Sequence, residues 1–243
     1  MTEHDDVHPR GIPAASSATA ATSASSREAR PVRNAATDDG VSVRQRLLDQ
    51  ALALICKRGF NGFSYRDLAE RVGVKTSSIH YYFPTKEDLA LEAVNEYSAR
   101  IARHIASIDT ALPIREQAEQ YLAPWRSGCK AEQVCLAGML AAESESLPPS
   151  VHAALQGFHR LNEEWLAGLL ERAAAEVGDL PEGTTAEALA KVLFGALQNG
   201  LVSARLFGQT DRVEPAAGLL LAAVSRHGQQ LAASVPHAVK TAA

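Results

Sequence analysis

From Val41 onward the apolar positions follow the period of a helix, not the alternation of a strand. Val43, Leu47, Ala51, Leu54 and Ile55 fall on one face, Arg44, Arg46, Asp49 and Lys57 lie on others, and Gly59 closes the segment as a glycine just past a helix end. Ser64, followed three residues later by Asp67, is a capping signature, and the short helix it opens carries Leu68, Ala69 and Val72 before stopping at Gly73. A third short helix is predicted from about Thr76 to Tyr82. Pro84 ends it, because proline lacks a donor and disfavours helix in the residue before it. Thr85 with Asp88 is a second capping pair, and the helix beyond it carries Leu89, Ala93, Tyr97, Ile101 and Ile105 at steps of four. Further helices are predicted at about 113–127, 134–145, 149–177, 184–207 and 212–234. No strand pattern, internal repeat or heptad run accompanies them, so the expected fold class is all-α.

Residues 1–40 break this pattern. Ala, Ser, Thr and charges dominate, with Ile12, Val7 and Val32 the sole bulky aliphatics, so the segment is expected to be a disordered tail. Its Ala and Ser bias is that of a transit peptide, but Glu3, Asp5 and Asp6 come early, and it lacks the apolar stretch of a secretory signal. Arg27, Arg30 and Arg33 read either as scattered solvated charges or as an arm that follows a DNA minor groove.

Composition narrows the class. The 243 residues suit one or two domains, and 5% aromatics with abundant Ala and Leu favour helix. Cys56, Cys129 and Cys135 are too few and odd in number for a disulfide framework, which points to a reducing cytoplasm. The longest apolar run, Ala216 to Val224, falls short of the ~20 residues of a membrane span. Net charge is −4, yet it is segregated: −2 over residues 1–40, +5 over 41–86 and −7 over 87–243. This segregation suggests that any polyanion contact of the folded part is local to residues 41–86.

Within that basic segment, Ser64 to Phe83 has the length and central Gly73-Val74 turn of a helix-turn-helix. Its second helix displays Lys75, Thr76, Ser77, Ser78, His80 and Tyr81 and no acid, the donor-rich surface that phosphates and base edges require. Lys86 adds a cation at the start of the following helix. The plainer reading is also available for each: a capped helix start at Ser64, core packing for Tyr82 and Phe83, and solvated lysines at 75 and 86.

The stretch Lys57-Arg58-Gly59-Phe60-Asn61-Gly62-Phe63-Ser64-Tyr65-Arg66-Asp67-Leu68-Ala69-Glu70-Arg71-Val72-Gly73-Val74, then Ser78-Ile79-His80-Tyr81-Tyr82-Phe83-Pro84-Thr85-Lys86-Glu87-Asp88-Leu89, resembles the N-terminal domain of the tetracycline-repressor (TetR) family. The resemblance implies a homodimeric transcription regulator, usually a repressor, without a cofactor. Residues 41–90 would bind double-stranded operator DNA, and residues 91–243 would bind a small effector and dimerise. It places Thr76 and Ser77 against bases, and Ser64, Tyr65, Lys75, His80, Tyr81 and Lys86 mostly against phosphates. Ser77 stands where the family often has Gly and His80 where it often has Tyr, so the operator is not transferable from a relative.

For the body, Tyr121, Trp125, Met139, Phe158, His159, Trp165, Phe194, Gln198 and Asn199 are the candidate effector-pocket residues, an apolar lining with a few amides. The alternative is that the aromatics are core and the amides cross a dimer interface. The expected dimer seam combines Gly195, Ala196, Gly200, Ser203 and Ala204 with Leu189, Leu193, Leu197 and Leu201, beside Leu219, Leu220, Ala223 and Val224. Cys135-Leu136 resembles the helix opening of a subset of the family, some members of which respond to electrophiles or oxidants through that cysteine. A thiol at a helix N-terminus has a depressed pKa, with Cys129 as candidate resolving partner and Cys56 inert. Those members carry lysine on the helix that here has Arg205, which cannot act as a nucleophile. A third reading is a helical small-molecule-binding or interaction protein that keeps the helix-turn-helix as scaffold.

An enzyme is not expected. Phosphate-loop, nucleophile-elbow, His-Glu-x-x-His and Cys-x-x-Cys motifs do not occur. His152 and His159 share a helix face but have no third ligand in view, so no metal site is expected.

Overall fold

The computed structural model describes residues 42–130, 134–177, 180 and 183–225, and among them every regular element is helical. The expected tail at 1–40 and the Arg27, Arg30 and Arg33 arm lie outside the described residues.

Four helices form the N-terminal end: α1 (Val43–Arg58), α2 (Tyr65–Val72), α3 (Thr76–Tyr82) and α4 (Lys86–Ala106). Their boundaries follow from local chemistry. Ser42 caps α1 by accepting from the Gln45 amide, and Ser64–Asp67 and Thr85–Asp88 are complete capping boxes opening α2 and α4. Gly73, at φ 75°, takes the left-handed conformation that lets α2 turn directly into α3. Leu47, Leu54, Ile55, Leu68, Ile79, Phe83 and Leu89 are fully buried between these helices, and Arg46 donates at 2.6 Å to the Val72 carbonyl at the end of α2. The angle between α2 and α3 is thus fixed by core and cap together.

The body comprises α5 (Ile114–Lys130), α6 (Leu136–Ala141), α7 (Pro149–Val177), α8 (Ala186–Phe207) and α9 (Glu214–Ala223), with 3-10 turns at Ser144–Ser146 and Thr210–Val213. Helix α7 packs along α8 and against α4, while α5, α8 and α9 close the far side. Arg126 ties α5 to α9 through Glu214 at 2.9 Å and also meets Glu119 at 2.7 Å.

Two expectations need correcting. The predicted helix at 134–145 shortens to α6 because Glu143 turns away, and its carboxylate accepts from the Asn61 amide at 3.1 Å and the Asn61 side chain at 3.2 Å. Most of the expected dimer seam faces inward: Leu193, Leu197, Leu201, Ala204, Leu220 and Val224 are buried within the chain, while its Gly195 and Leu219 are exposed. A Cβ on Gly200 would lie 3.0 Å from the Val213 Cα, so this glycine serves a close approach inside one subunit. The outward stripe of α8 is instead Ala188, Val192, Gly195, Asn199, Val202 and Leu206, spaced alternately four and three apart, with Leu219 of α9 also exposed.

Candidate functional site

Two sites lie on this frame. The first is the outer face of α3, where Lys75, Ser77, His80 and Tyr81 are exposed, Tyr81 at 61%, and Thr76 is half-buried. No carboxylate belongs to this helix. Tyr81 packs edge-on against Tyr82 with ring centroids 5.1 Å apart. The His80 Nδ1 lies 3.1 Å from the Pro84 carbonyl, which can only accept, so Nδ1 is the donor in that bond.

The other three expected DNA contacts have internal partners. The Ser64 hydroxyl bonds Asp67 within the capping box. The Tyr65 hydroxyl donates to the Phe83 carbonyl at 2.9 Å and to the Thr85 carbonyl. Burial, with Asp88 nearby, pushes its pKa up to about 12. The Lys86 ammonium donates to the Phe63 carbonyl and sits 4.4 Å from the Phe63 ring centroid and 4.8 Å from that of Phe60. Burial lowers its pKa, opposed by Glu143 and Asp67. What Lys86 does in this structure is fasten the loop before α2 to the start of α4.

The second site is a cavity of about 390 Å³ in the body. Cys56 of α1, Tyr97, Ile101 and His104 of α4, Tyr121 and Trp125 of α5, Cys135 at the cap of α6, Phe158 and Asn162 of α7, and Leu201 of α8 are among the residues that line it. Of the expected pocket residues, Tyr121, Trp125 and Phe158 are in the lining. Trp165 stacks behind Tyr121 at 4.6 Å, and Phe194 meets Trp125 edge-on at 5.7 Å, so both support the wall from outside. Met139 lies by Arg205, with Sδ 4.0 Å from the guanidinium. Gln198 lies by Gly138 with its amide nitrogen buried and unpaired. His159 lines a separate, more open cleft with His152 and Arg160, where burial lowers its pKa against the opposing pull of Glu163. Asn199 faces outward on α8 and is no pocket residue. Sequence reasoning missed Tyr97, His104 and Asn162. The step-of-four stripe on α4 already carried Tyr97 and Ile101, and that was the available signal.

The thiol expectation is also corrected. Cys135 caps α6, but it is buried, and desolvation raises its pKa despite hydrogen bonds from Tyr97 and the Gly138 and Ala137 amides. The Tyr97 hydroxyl donates to Cys135 Sγ at 3.5 Å. Cys56 is pushed up to about 12 by burial and by Cys135. Burial therefore favours the protonated, less reactive form of both thiols. The Cys129 side chain lies outside the described residues. Among the described residues no cluster of His, Cys, Asp or Glu is placed to hold a metal, and no helix is long and apolar enough to cross a membrane.

Arg205, near the end of α8, donates to the Lys57 carbonyl at 2.7 Å and the Cys56 carbonyl at 3.3 Å. It thus meets the open carbonyls at the C-terminus of α1, on the helix that also lends Cys56 to the cavity. The four-helix head and the cavity share α1 and α4.

A helix-turn-helix head on a helical body with a cavity defines a DNA-binding transcription regulator. Residues 47–93 match the family model for bacterial regulatory proteins of the tetR family, and residues 111–220 match the tetracyclin repressor-like C-terminal domain. A TetR transcriptional regulator of Legionella pneumophila is 31% identical, covering 77% of this chain and 97% of its own, with a TM-score of 0.66. A TetR-family regulator of Agrobacterium tumefaciens is 31% identical over 74% of this chain and 95% of its own, with a TM-score of 0.68. The HTH-type regulator LuxR of Vibrio harveyi is 31% identical over 74 residues, a match that spans 36% of that protein and 30% of this chain. The chain belongs to the TetR family of transcription regulators, which are DNA-binding proteins and not enzymes.

Proposed function

We propose that this protein is an effector-responsive repressor acting in the cytoplasm as a homodimer. Residues 41–90 serve as the reading head and 91–243 as the effector-binding and dimerising body. The observation that carries the reading is the α3 face, where Lys75, Ser77, His80 and Tyr81 stand exposed on a helix without carboxylates. Thr76 and Ser77 contact bases in the major groove. Lys75, His80 and Tyr81 hold phosphates, and the Ser64 capping turn adds the free amides at the start of α2. Lys86 and Tyr65 contribute by holding the head in shape.

The dimer forms through the outward stripe of α8 and the exposed face of α9, where small and apolar residues let helices of two copies approach closely. Two α3 helices then read a pseudo-palindrome with half-sites about 34–36 Å apart or a multiple of that. An effector in the cavity favours one separation of the two heads and releases DNA through its differential affinity for the two dimer states.

Selection of bound sequences from a random DNA library tests this. A palindrome whose affinity falls with salt is the expected result. No enrichment at any salt concentration would leave the helix-turn-helix as scaffold and overturn the reading.

A further inference from the structure

The cavity's walls limit what it can accept. Among the described residues that line it, none is Lys, Arg, Asp or Glu. Four of the five titratable lining groups, Cys56, Cys135, Tyr97 and Tyr121, are driven by burial toward their neutral forms. The fifth, His104, has Nε2 committed to the Gln120 carbonyl at 3.0 Å. Among these described residues a carboxylate or phosphate entering here would leave water and meet no Lys or Arg, and an ammonium would meet no carboxylate.

The walls are also aromatic and braced. Tyr97 and Phe158 lie with ring centroids 5.3 Å apart, Tyr121 and Trp125 at 6.3 Å, and Trp165 and Phe194 hold the latter pair from behind. Rings arranged at tilted angles offer both faces and edges to a further ring, with little reordering on binding. The Ser127 and His104 side chains that also line the cavity turn to the Ala123 and Gln120 carbonyls, and one amide sits among the rings. Asn162, only 1% exposed, accepts from the Tyr121 hydroxyl at 3.1 Å and donates through Nδ2 to the Phe158 carbonyl at 2.9 Å, which leaves the amide a second N–H.

The geometry points to a neutral aromatic ligand small enough for a cavity of about 390 Å³. It sits among Tyr97, Tyr121, Trp125 and Phe158 and carries one oxygen that accepts from Asn162. This deepens the effector reading above and rests on it.

Isothermal titration of the full chain with naphthol, naphthoate, naphthylmethylammonium and decanol tests the ligand class. Naphthol is expected to bind roughly tenfold or more tightly than either charged analogue or the aliphatic alcohol. Its advantage over naphthalene should disappear in Asn162→Leu. If that variant does not fold, Ile101→Trp, checked for helix content, gives the second test by filling the cavity and abolishing naphthol binding. Naphthoate binding as tightly as naphthol, or decanol binding more tightly, overturns the ligand class. So does a protein that selects a palindrome yet binds no naphthol, and in that case the regulator reading stands. Naphthol that binds as expected but leaves the DNA complex intact supports the ligand class and removes the effector role instead.

Discussion

The His104 imidazole donates from Nε2 to the main-chain carbonyl of Gln120 at 3.0 Å, the carbonyl that Pro124, four residues on, leaves unpaired for want of an N–H. A helix break in α5 is thereby mended from α4, and both His104 and Pro124 face the cavity. Pro124→Ala restores the missing donor. The expected result is a gain of roughly 1–3 kcal/mol in urea denaturation. A loss instead would mean that the pyrrolidine ring matters more as cavity wall than as a helix fault.

Lys75 and Lys86 should separate cleanly. Lys75→Ala is expected to lower the slope of log affinity against log salt by about 0.9, as for one lost phosphate contact. Lys86→Ala should leave that slope unchanged and cost about 1–2 kcal/mol of stability, because its ammonium serves the Phe63 carbonyl and two rings. Gel shifts at several salt concentrations, alongside thermal melts, decide between the two roles.

The outward stripe of α8 predicts the oligomer. Leu206 is 76% exposed and Val202 44% in the single chain. Val202→Asp with Leu206→Asp should give a folded monomer in sedimentation velocity and weaken operator binding by two orders of magnitude or more, roughly 3 kcal/mol. An unchanged dimer would place the interface elsewhere.

Much of the head could be read from the sequence because its boundaries are local. Ser64 with Asp67, Thr85 with Asp88, Gly59 and Gly73 each specify a helix end within a few residues, and all four mark one in the structure. The body is different. Helix α8 is apolar on two faces, and the pattern alone does not say whether Leu193, Leu197 and Leu201 or Val192, Val202 and Leu206 turn inward; packing by α5 and α7 settles it. The cavity draws its residues from six separate parts of the chain, so Asn162 and His104 had no local signature. At Cys135 the helix N-terminus was legible but the burial that outweighs it was not.

The junction between head and body predicts coupling. Arg205 meets the α1 carbonyls, and Glu143 holds Asn61 just beyond that helix. Arg205→Ala is expected to cost about 1–2 kcal/mol of stability. It should also shrink the factor by which a bound effector weakens DNA binding, read from operator titrations with and without ligand. An unchanged factor would remove this contact from the path between the sites.

His159 sets a pH trend. Burial holds its pKa below the ordinary 6.5, with Glu163 pulling the other way, so the unfolded chain takes up a proton that the folded one resists. Stability from this group is present in the neutral range and is lost as pH falls through 6.5 toward the folded value. His159→Gln should flatten the dependence of Tm on pH between about pH 7.5 and pH 5.5. An identical slope in the variant would show that other groups carry the trend.

The ring cluster around the cavity has an optical consequence. The chain contains two tryptophans, Trp125 in the lining and Trp165 stacked on Tyr121, which also lines it. All of the protein's indole emission therefore originates at the cavity or one ring behind it, with no distant tryptophan to dilute it. The unlabelled protein carries its own fluorophore for occupancy, and its emission spectrum will respond to what enters the cavity.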